Sequence, residues 1–351
     1  MTRVVYCNGP FGWPHSTTWM GPIQDTIRSH CPALRPAHYT HVKATGPDHM
    51  NPEVRSFHHQ DTFTWSHVVV DAASRHAAII DPALDFDPVT GQIETASAQR
   101  LLEYIETTAL QVDWILETHV HADHLTAAAW LKDRLGAAGT SPRIGIGRGV
   151  LTVQRTFKQK LDLGDEFAAD GREFDALFDD GAEITIGNLS GRAMSTPGHT
   201  ADSLSYLFGN TAFIGDTLFA PRSGSARCDF PGGDAQVLFD SIQRLYALPD
   251  ATRVFLAHDY PPEGEAPLAE TSIAAQKAGN IHVRAGATAS DFVEMRKARD
   301  ATLGMPRLFW PSIQTNLLGG RFPPANAQGQ SYLKMPLGGE ALESLQLKPA
   351  P

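Results

Sequence analysis

The sequence predicts an α/β protein built as a four-layer α/β/β/α sandwich, and three observations predict it. From residue 63 onward, short apolar runs of strand length alternate with longer segments of helical spacing. The strands fall into two runs, each flanked by helices, and two sheets that each cover one face with helices bury their other faces on one another. Metal-type donors follow strand ends in both runs, which gathers them at one edge between the sheets.

Phe63 to Val70 and His76 to Ile80 read as a strand pair, the second ending in Asp81-Pro82. Ala96 to Leu110 carries Leu101, Leu102, Ile105 and Leu110 near helical spacing. Trp114 to Glu117 is a short buried strand. Leu125 to Leu135 is an Ala-rich helix with Gly136 as its stop, and Ile144 to Ile146 returns to the sheet. Residues 151 to 180 read as a helix and a polar loop over the site. Ile184 to Ile186, Arg192 to Ser195, Leu204 to Phe208 and Ala212 to Ile214 make the second strand set. Helices follow at Asp234 to Ala247, Ala269 to Ala278 and Ala289 to Ala298, with a strand at Val254 to Leu256.

The chemistry is concentrated in Thr118-His119-Val120-His121-Ala122-Asp123-His124. Two His one residue apart at a strand end point the same way, because side chains alternate with period two. Transition-metal sites need nitrogen and carboxylate donors converging from several elements. Three more donors arrive in fitting contexts: His199 in Ser195-Thr196-Pro197-Gly198-His199-Thr200, Asp216 after the apolar run Thr211 to Gly215, and His258 after Arg253 to Ala257. Pro197 and Gly198 stop one strand and turn the chain tightly. A lone His after a strand is commonly a hydrogen-bonded structural residue, but three strand-end donors following such a cluster point to a metal centre.

Composition narrows the class. At 351 residues the chain can bury a substantial core, and a net charge of −10 without acidic or basic blocks excludes nucleic acid and anionic membrane as natural partners. No apolar stretch approaches the ~18 residues of a membrane span. Cys7, Cys31 and Cys228 show no metal-type pairing and imply a reducing compartment, cytoplasmic or, in a eukaryote, mitochondrial.

These motifs resemble the metallo-β-lactamase superfamily over roughly residues 52 to 349, within it the glyoxalase II and persulfide dioxygenase branch. Three segments pull toward the persulfide dioxygenases, the longer bacterial type of the ethylmalonic encephalopathy protein family. Ala226-Arg227-Cys228-Asp229-Phe230 is similar to an Arg-Thr-Asp-Phe segment that holds glutathione there, with Cys228 replacing Thr. Ala257-His258-Asp259-Tyr260 resembles that family's Ala-His-Asp-Tyr, where glyoxalase II shows His-Glu-Tyr. Trp310 to Asn316 and Ser331 to Leu337 resemble its closing segment, and this Gly- and Pro-rich tail does not read as a helical glutathione-binding domain.

The resemblance implies a single Fe(II) on His119, His199 and Asp216, with His121, Asp123, His124 and His258 orienting ligands and waters. The reaction it implies is oxidation of glutathione persulfide by O₂ and water to sulfite and glutathione. Arg227 would pair with a glutathione carboxylate, or else form an ion pair with Asp229; Tyr260 would hydrogen-bond the tripeptide, or merely pack. Cys228 reads as a small buried residue, with reaction toward persulfide as the lesser reading. The alternative is a glyoxalase II-like thioester hydrolase with two Zn or mixed metals. It would use His119, His121 and His199 at one site and Asp123, His124 and His258 at the other, with Asp216 bridging. A non-catalytic metal-binding module is disfavoured because all seven donors are present. Expected partners are glutathione persulfide and O₂, with no nucleic acid or membrane and with a homodimer permitted.

Residues 1–50 form an irregular N-terminal extension to a catalytic domain spanning 51–351. They hold five His, six Pro, four basic and two acidic residues without a sustained period. No signal-peptide pattern appears, a transit peptide fits poorly, and Met50 is an alternative natural start.

Overall fold

Alternation along the central strands decides the layering. In the computed structural model, which describes residues 51–337, Val68 and Val70 face one side of a strand and Val69 the other, and all three are buried. Ala77 and Ile79 likewise oppose Ala78 and Ile80 on the next strand. A sheet apolar on both faces must be covered twice, by helices on one side and by a second sheet on the other.

The first sheet contains β1 (Glu53–His59), β2 (Thr64–Asp71), β3 (His76–Ile80), β6 (Gln111–Leu116), β8 (Arg143–Gly147) and β9 (Ala176–Phe178), in that order. Strands β1 to β3 pair antiparallel; β3, β6, β8 and β9 pair parallel. Parallel neighbours need crossovers, supplied by α1 (Ala96–Thr107), α2 (Ala128–Ala137) and α3 (Val150–Leu161). The second sheet runs β10 (Glu183–Ile186), β11 (Leu189–Ser195), β12 (Leu204–Phe208), β13 (Thr211–Phe213), β14 (Arg253–Phe255) and β15 (Glu270–Ser272). A small third sheet joins β5 (Gln92–Glu94), β4 (Ala83–Asp87) and β7 (Leu125–Thr126). Four more helices follow: α4 (Ala235–Tyr246), α5 (Ile273–Gly279), α6 (Ala289–Asp300) and α7 (Phe309–Asn316).

Three buried clusters correspond to the three interfaces of the expected sandwich. Leu101, Ile105, Leu131, Val153 and Phe157 pack helices on the outer face of the first sheet. Val69, Ile80, Trp114, Tyr206, Phe208 and Phe213 fill the space between sheets. Leu238, Ile242, Leu245 and Phe292 pack on the outer face of the second sheet, against Ala212 and Val254. The side chain of Asp234 accepts from the backbone N–H groups of Gln236 and Val237, which fixes the start of α4.

Several sequence expectations need correction. Strand β1 was not anticipated; its residues are mostly half-exposed, so no alternation marks it. The segment expected to be one helix from Leu125 is strand β7 and then α2, which runs through Gly136. The helix expected from Ala269 starts at Ile273, because residues 270–272 pair with β14. The polar loop expected to cover the site instead buries Phe167, Ala169 and Phe174 in the first helix-facing core. Helix α7 was not anticipated either; it is a short helix with Pro311 in its first turn, where a missing N–H costs nothing. The N-terminal extension lies outside the described residues. No helix of those described is long and apolar enough to cross a membrane.

Candidate metal centre

All seven donors named from the sequence converge at one edge of the two sheets. His119, His121, Asp123 and His124 lie on the connection from the C-terminal end of β6 to β7; His199 follows β11, Asp216 sits in the turn after β13, and His258 follows β14. This is where open α/β sheets place ligands. The sheets are laced together here: Leu204 N–H donates to Thr118 O (2.8 Å), Val120 N–H to Asp202 Oδ2 (2.8 Å) and Trp65 N–H to Ala257 O (2.7 Å). The turn before His199 requires glycine: Gly198 has φ +131°, and a Cβ there would lie 2.3 Å from the Leu238 backbone of α4.

His119, His199 and His258 are each held through Nδ1 so that Nε2 is left for the centre. The Thr118 hydroxyl donates to Asp81 Oδ2 (2.8 Å), leaving its lone pair for His119 Nδ1 at 3.1 Å. His199 Nδ1 donates to the Arg227 carbonyl at 2.7 Å, and His258 Nδ1 to the Phe63 carbonyl at 3.0 Å. His121 Nε2 lies 3.1 Å from Asp81 Oδ1 and 3.6 Å from Glu117 Oε2. The inward atoms, His119 Nε2, His121 Nδ1, His124 Nε2, His258 Nε2 and Asp216 Oδ1, are buried without a hydrogen-bond partner. Orphaned buried nitrogens are costly unless a ligand takes them, and a transition metal held by nitrogen and carboxylate fits this donor set. Fixing the outer nitrogen also fixes the tautomer and ring orientation.

The donors sort into groups. One ligand atom from each of His119, His199 and Asp216 lies within 4.8 Å of the other two, and the same holds for His121, Asp123 and His124, and for Asp81, Glu117 and His121. His258 Nε2 stands 3.2 Å from Asp123 Oδ2 and 3.4 Å from Asp216 Oδ1. Burial, reinforced by neighbouring imidazoles, pushes His119 and His121 well below the usual histidine range, so both are neutral and ready to ligate. Burial alone would raise Asp123, but His258 and His124 outweigh it and hold this carboxylate ionised. Burial likewise opposes protonation of His258, yet Asp216 and Asp123 raise it to about 10.

The chain matches the profile of the metallo-beta-lactamase superfamily over residues 61–258. It belongs to that superfamily. As a member of it, the chain is 46% identical over 294 residues to a probable metallo-hydrolase of Burkholderia pseudomallei (strain 1710b), covering 81% of this chain and 98% of the relative. A beta-lactamase hydrolase-like protein of Agrobacterium fabrum is 46% identical over 286 residues, 82% of this chain but 65% of that longer protein. The crystal structure of ETHE1 from Myxococcus xanthus superposes with a TM-score of 0.59 at 29% identity, over 77% of this chain and all of that one. Two more distant relatives bear the names of competing activities. A hydroxyacylglutathione hydrolase of Methylobacterium nodulans is 33% identical over 179 residues (50% of this chain, 60% of the relative), and the mitochondrial persulfide dioxygenase ETHE1 of Bos taurus is 26% identical over 200 (56% and 64%).

The residues expected to bind substrate fare differently from the metal donors. Arg227 is not a free fork. Its Nε and one terminal nitrogen donate to the two oxygens of Asp229, both at 2.6 Å, the other terminal nitrogen reaches Gly304 O at 2.7 Å, and the guanidinium lies over Phe230. The ion pair with Asp229, weighed above, is what forms; toward the metal the residue contributes its backbone carbonyl. Arg227→Ala is accordingly expected to lower stability by about 1.5–3 kcal/mol while the Michaelis constant moves less than about twofold. Denaturant melts and steady-state kinetics check this, and a large rise in the constant at unchanged stability would return Arg227 to the substrate.

Cys228 is buried in the second helix-facing core, where burial raises its thiol well above the ordinary value, so it is no thiolate nucleophile. Asp259 is fully buried and bound by Arg222, Ser223 and the Leu268 N–H, which makes it a loop anchor. Tyr260 is half-exposed at the rim, parallel to His258 at 5.8 Å and against Phe63 and Phe219. Sequence reasoning missed Asp81, Glu117 and Asn316. Asp81 stood at a strand end before proline and adopts φ +48°, a conformation Asp tolerates; the other two gave no signal in the sequence.

Proposed function

We propose that this protein is a persulfide dioxygenase that uses one Fe(II), held by His119, His199 and Asp216, to oxidise glutathione persulfide to sulfite. The observation that carries the reading is the donor grouping: ligand atoms of His119, His199 and Asp216, two histidines and one carboxylate, lie within 4.8 Å of one another, whereas His121 groups with Asp123 and His124 or with Asp81 and Glu117. Two histidines and one carboxylate would hold an iron with room left for substrate sulfur and O₂. The reaction balances as one persulfide, one O₂ and one water giving sulfite and glutathione, with four electrons passing from sulfur to oxygen. When bound, iron supplies the Lewis acidity and redox capacity for that transfer. The likeness to the ETHE1 structure and the Ala-His-Asp-Tyr segment support the same choice.

The protein's own groups bind and orient. Thr118, Arg227 O and Phe63 O hold the imidazoles, and the imidazoles so held are buried. Tyr260 presents a hydroxyl that makes no hydrogen bond among the described residues; desolvation by the surrounding rings, with Asp123 and Asp216 behind, raises its phenol, so it stays a neutral donor. Tyr260→Phe is expected to raise the Michaelis constant about 2–12-fold, the equivalent of one hydrogen bond, with metal content unchanged. No change would remove Tyr260 from the substrate site.

The thioester hydrolase has one specific observation in its favour. Asp216 directs Oδ2 toward His199 (3.6 Å) and Oδ1 toward His258 (3.4 Å), as a bridging carboxylate would. Metal analysis of protein isolated without added metal, with its spectroscopic signature, separates the two. About one iron per chain supports the dioxygenase, and two metals per chain overturn the mononuclear assignment.

A further inference from the structure

The metal-bearing loop is held from a part of the chain beyond the superfamily match, which ends at residue 258. Asn316, the last residue of α7, is buried, and its side-chain amide is spent entirely on that loop. Its Nδ2 donates to the His121 carbonyl at 2.9 Å and to the His124 carbonyl at 2.8 Å, while its Oδ1 accepts from the Thr126 N–H at 2.8 Å. One amide therefore brackets three donor residues, His121, Asp123 and His124, on irregular backbone that has no ladder of its own.

A second contact reinforces the first. After α7 the chain turns through Gly320 (φ +88°), where a Cβ would lie 3.0 Å from both Thr126 O and Ala129 N; only glycine lets the two backbones approach so closely. Helix α7 is itself seated by Phe309, Ile313 and Leu317 in the first helix-facing core and by Gln154, whose Nε2 donates to Leu317 O at 3.0 Å.

We propose that Asn316 is a positioning residue of the metal centre and that docking of α7 is thermodynamically coupled to metal binding. The proposal rests on the donors forming a metal centre and not on which reaction that centre performs. By linkage, whatever stabilises the loop in its ligating form stabilises α7 against it, and the reverse. Removing the amide leaves two carbonyls and one N–H without their partner and lets the loop sample geometries in which His121, Asp123 and His124 no longer point inward.

The test uses the full chain and Co(II) as the probe, with chelator competition giving the dissociation constant and the visible ligand-field bands reporting geometry. Asn316→Ala is expected to weaken Co(II) binding about 10–100-fold and to shift those bands. Gln314→Ala, on the same helix but bonded to Lys334, is expected to leave both unchanged. Affinity and bands unaltered in Asn316→Ala would overturn the proposal. Should that variant fail to fold, hydrogen exchange on the unmodified chain decides. Protection on Co(II) binding that extends from residues 117–126 into 309–316 supports the coupling, and protection that stops at residue 126 refutes it.

Discussion

Alanine at His119, His199 or Asp216 is expected to abolish activity and strip iron, while alanine at His121 keeps iron binding within about 10–100-fold of the original, the usual cost of losing an outer-sphere partner. The difference follows from position. His119 and His199, each fixed through Nδ1 by Thr118 and by Arg227 O, bring a ligand atom within 4.8 Å of the Asp216 carboxylate; the ligand atoms of His121 group instead with Asp123 and His124 or with Asp81 and Glu117. Removing one of three ligands leaves two, too few to hold Fe(II) against solvent, whereas removing an orienting group leaves the set intact. Iron content of purified variants reads the outcome. Equal iron loss in all four variants would contradict the one-iron assignment and favour a site that includes His121.

The largest stability effect is expected at the buried pair Arg296–Asp300, far from any donor in sequence. Asp300 accepts from Arg296 at 2.6 Å and from the Cys228 N–H at 2.9 Å, and Arg296 also reaches Ser225 O at 3.2 Å. Both side chains are almost wholly buried, so removing one strands the other's charge. Arg296→Ala is expected to cost about 3–5 kcal/mol, or roughly 6–20 °C in melting temperature. The pair fixes residues 225–228, which include the Arg227 carbonyl that orients His199, so weakened iron binding should accompany the lost stability. A double replacement by well-packed apolar residues is expected to recover much of the stability. A melting temperature within about 2 °C of the original for Arg296→Ala would show that the pair is solvated.

How much of this was legible in the sequence depends on whether the signal was local. Val68 to Val70 and Ala77 to Ile80 announced a strand pair, and the strand-end donors announced the edge where the sheets meet. Strand β15 could not be read, because Glu270–Ser272 becomes a strand only by pairing with β14. Helix α7 was masked by Pro311, which breaks a helix in its interior but not in its first turn. At the site, the ligands were visible because metal chemistry restricts residue type. Their supports were not: Asn316 holds the carbonyls of His121 and His124 from about 190 positions away, and any sequence supplies a carbonyl. For Arg227 the sequence left a substrate contact and an ion pair with Asp229 both open, and the ion pair depended on the local turn that brings residues 227 and 229 together.

The central claim is that three of seven clustered donors hold one iron and that the substrate is oxidised rather than hydrolysed. Oxygen consumption measured alongside sulfite formation, on the iron-loaded full chain supplied with glutathione persulfide, tests it most directly. The account predicts one O₂ consumed per sulfite formed, both lost in His199→Ala. Cleavage of S-lactoylglutathione by the same sample, with no oxygen uptake on the persulfide, would contradict it.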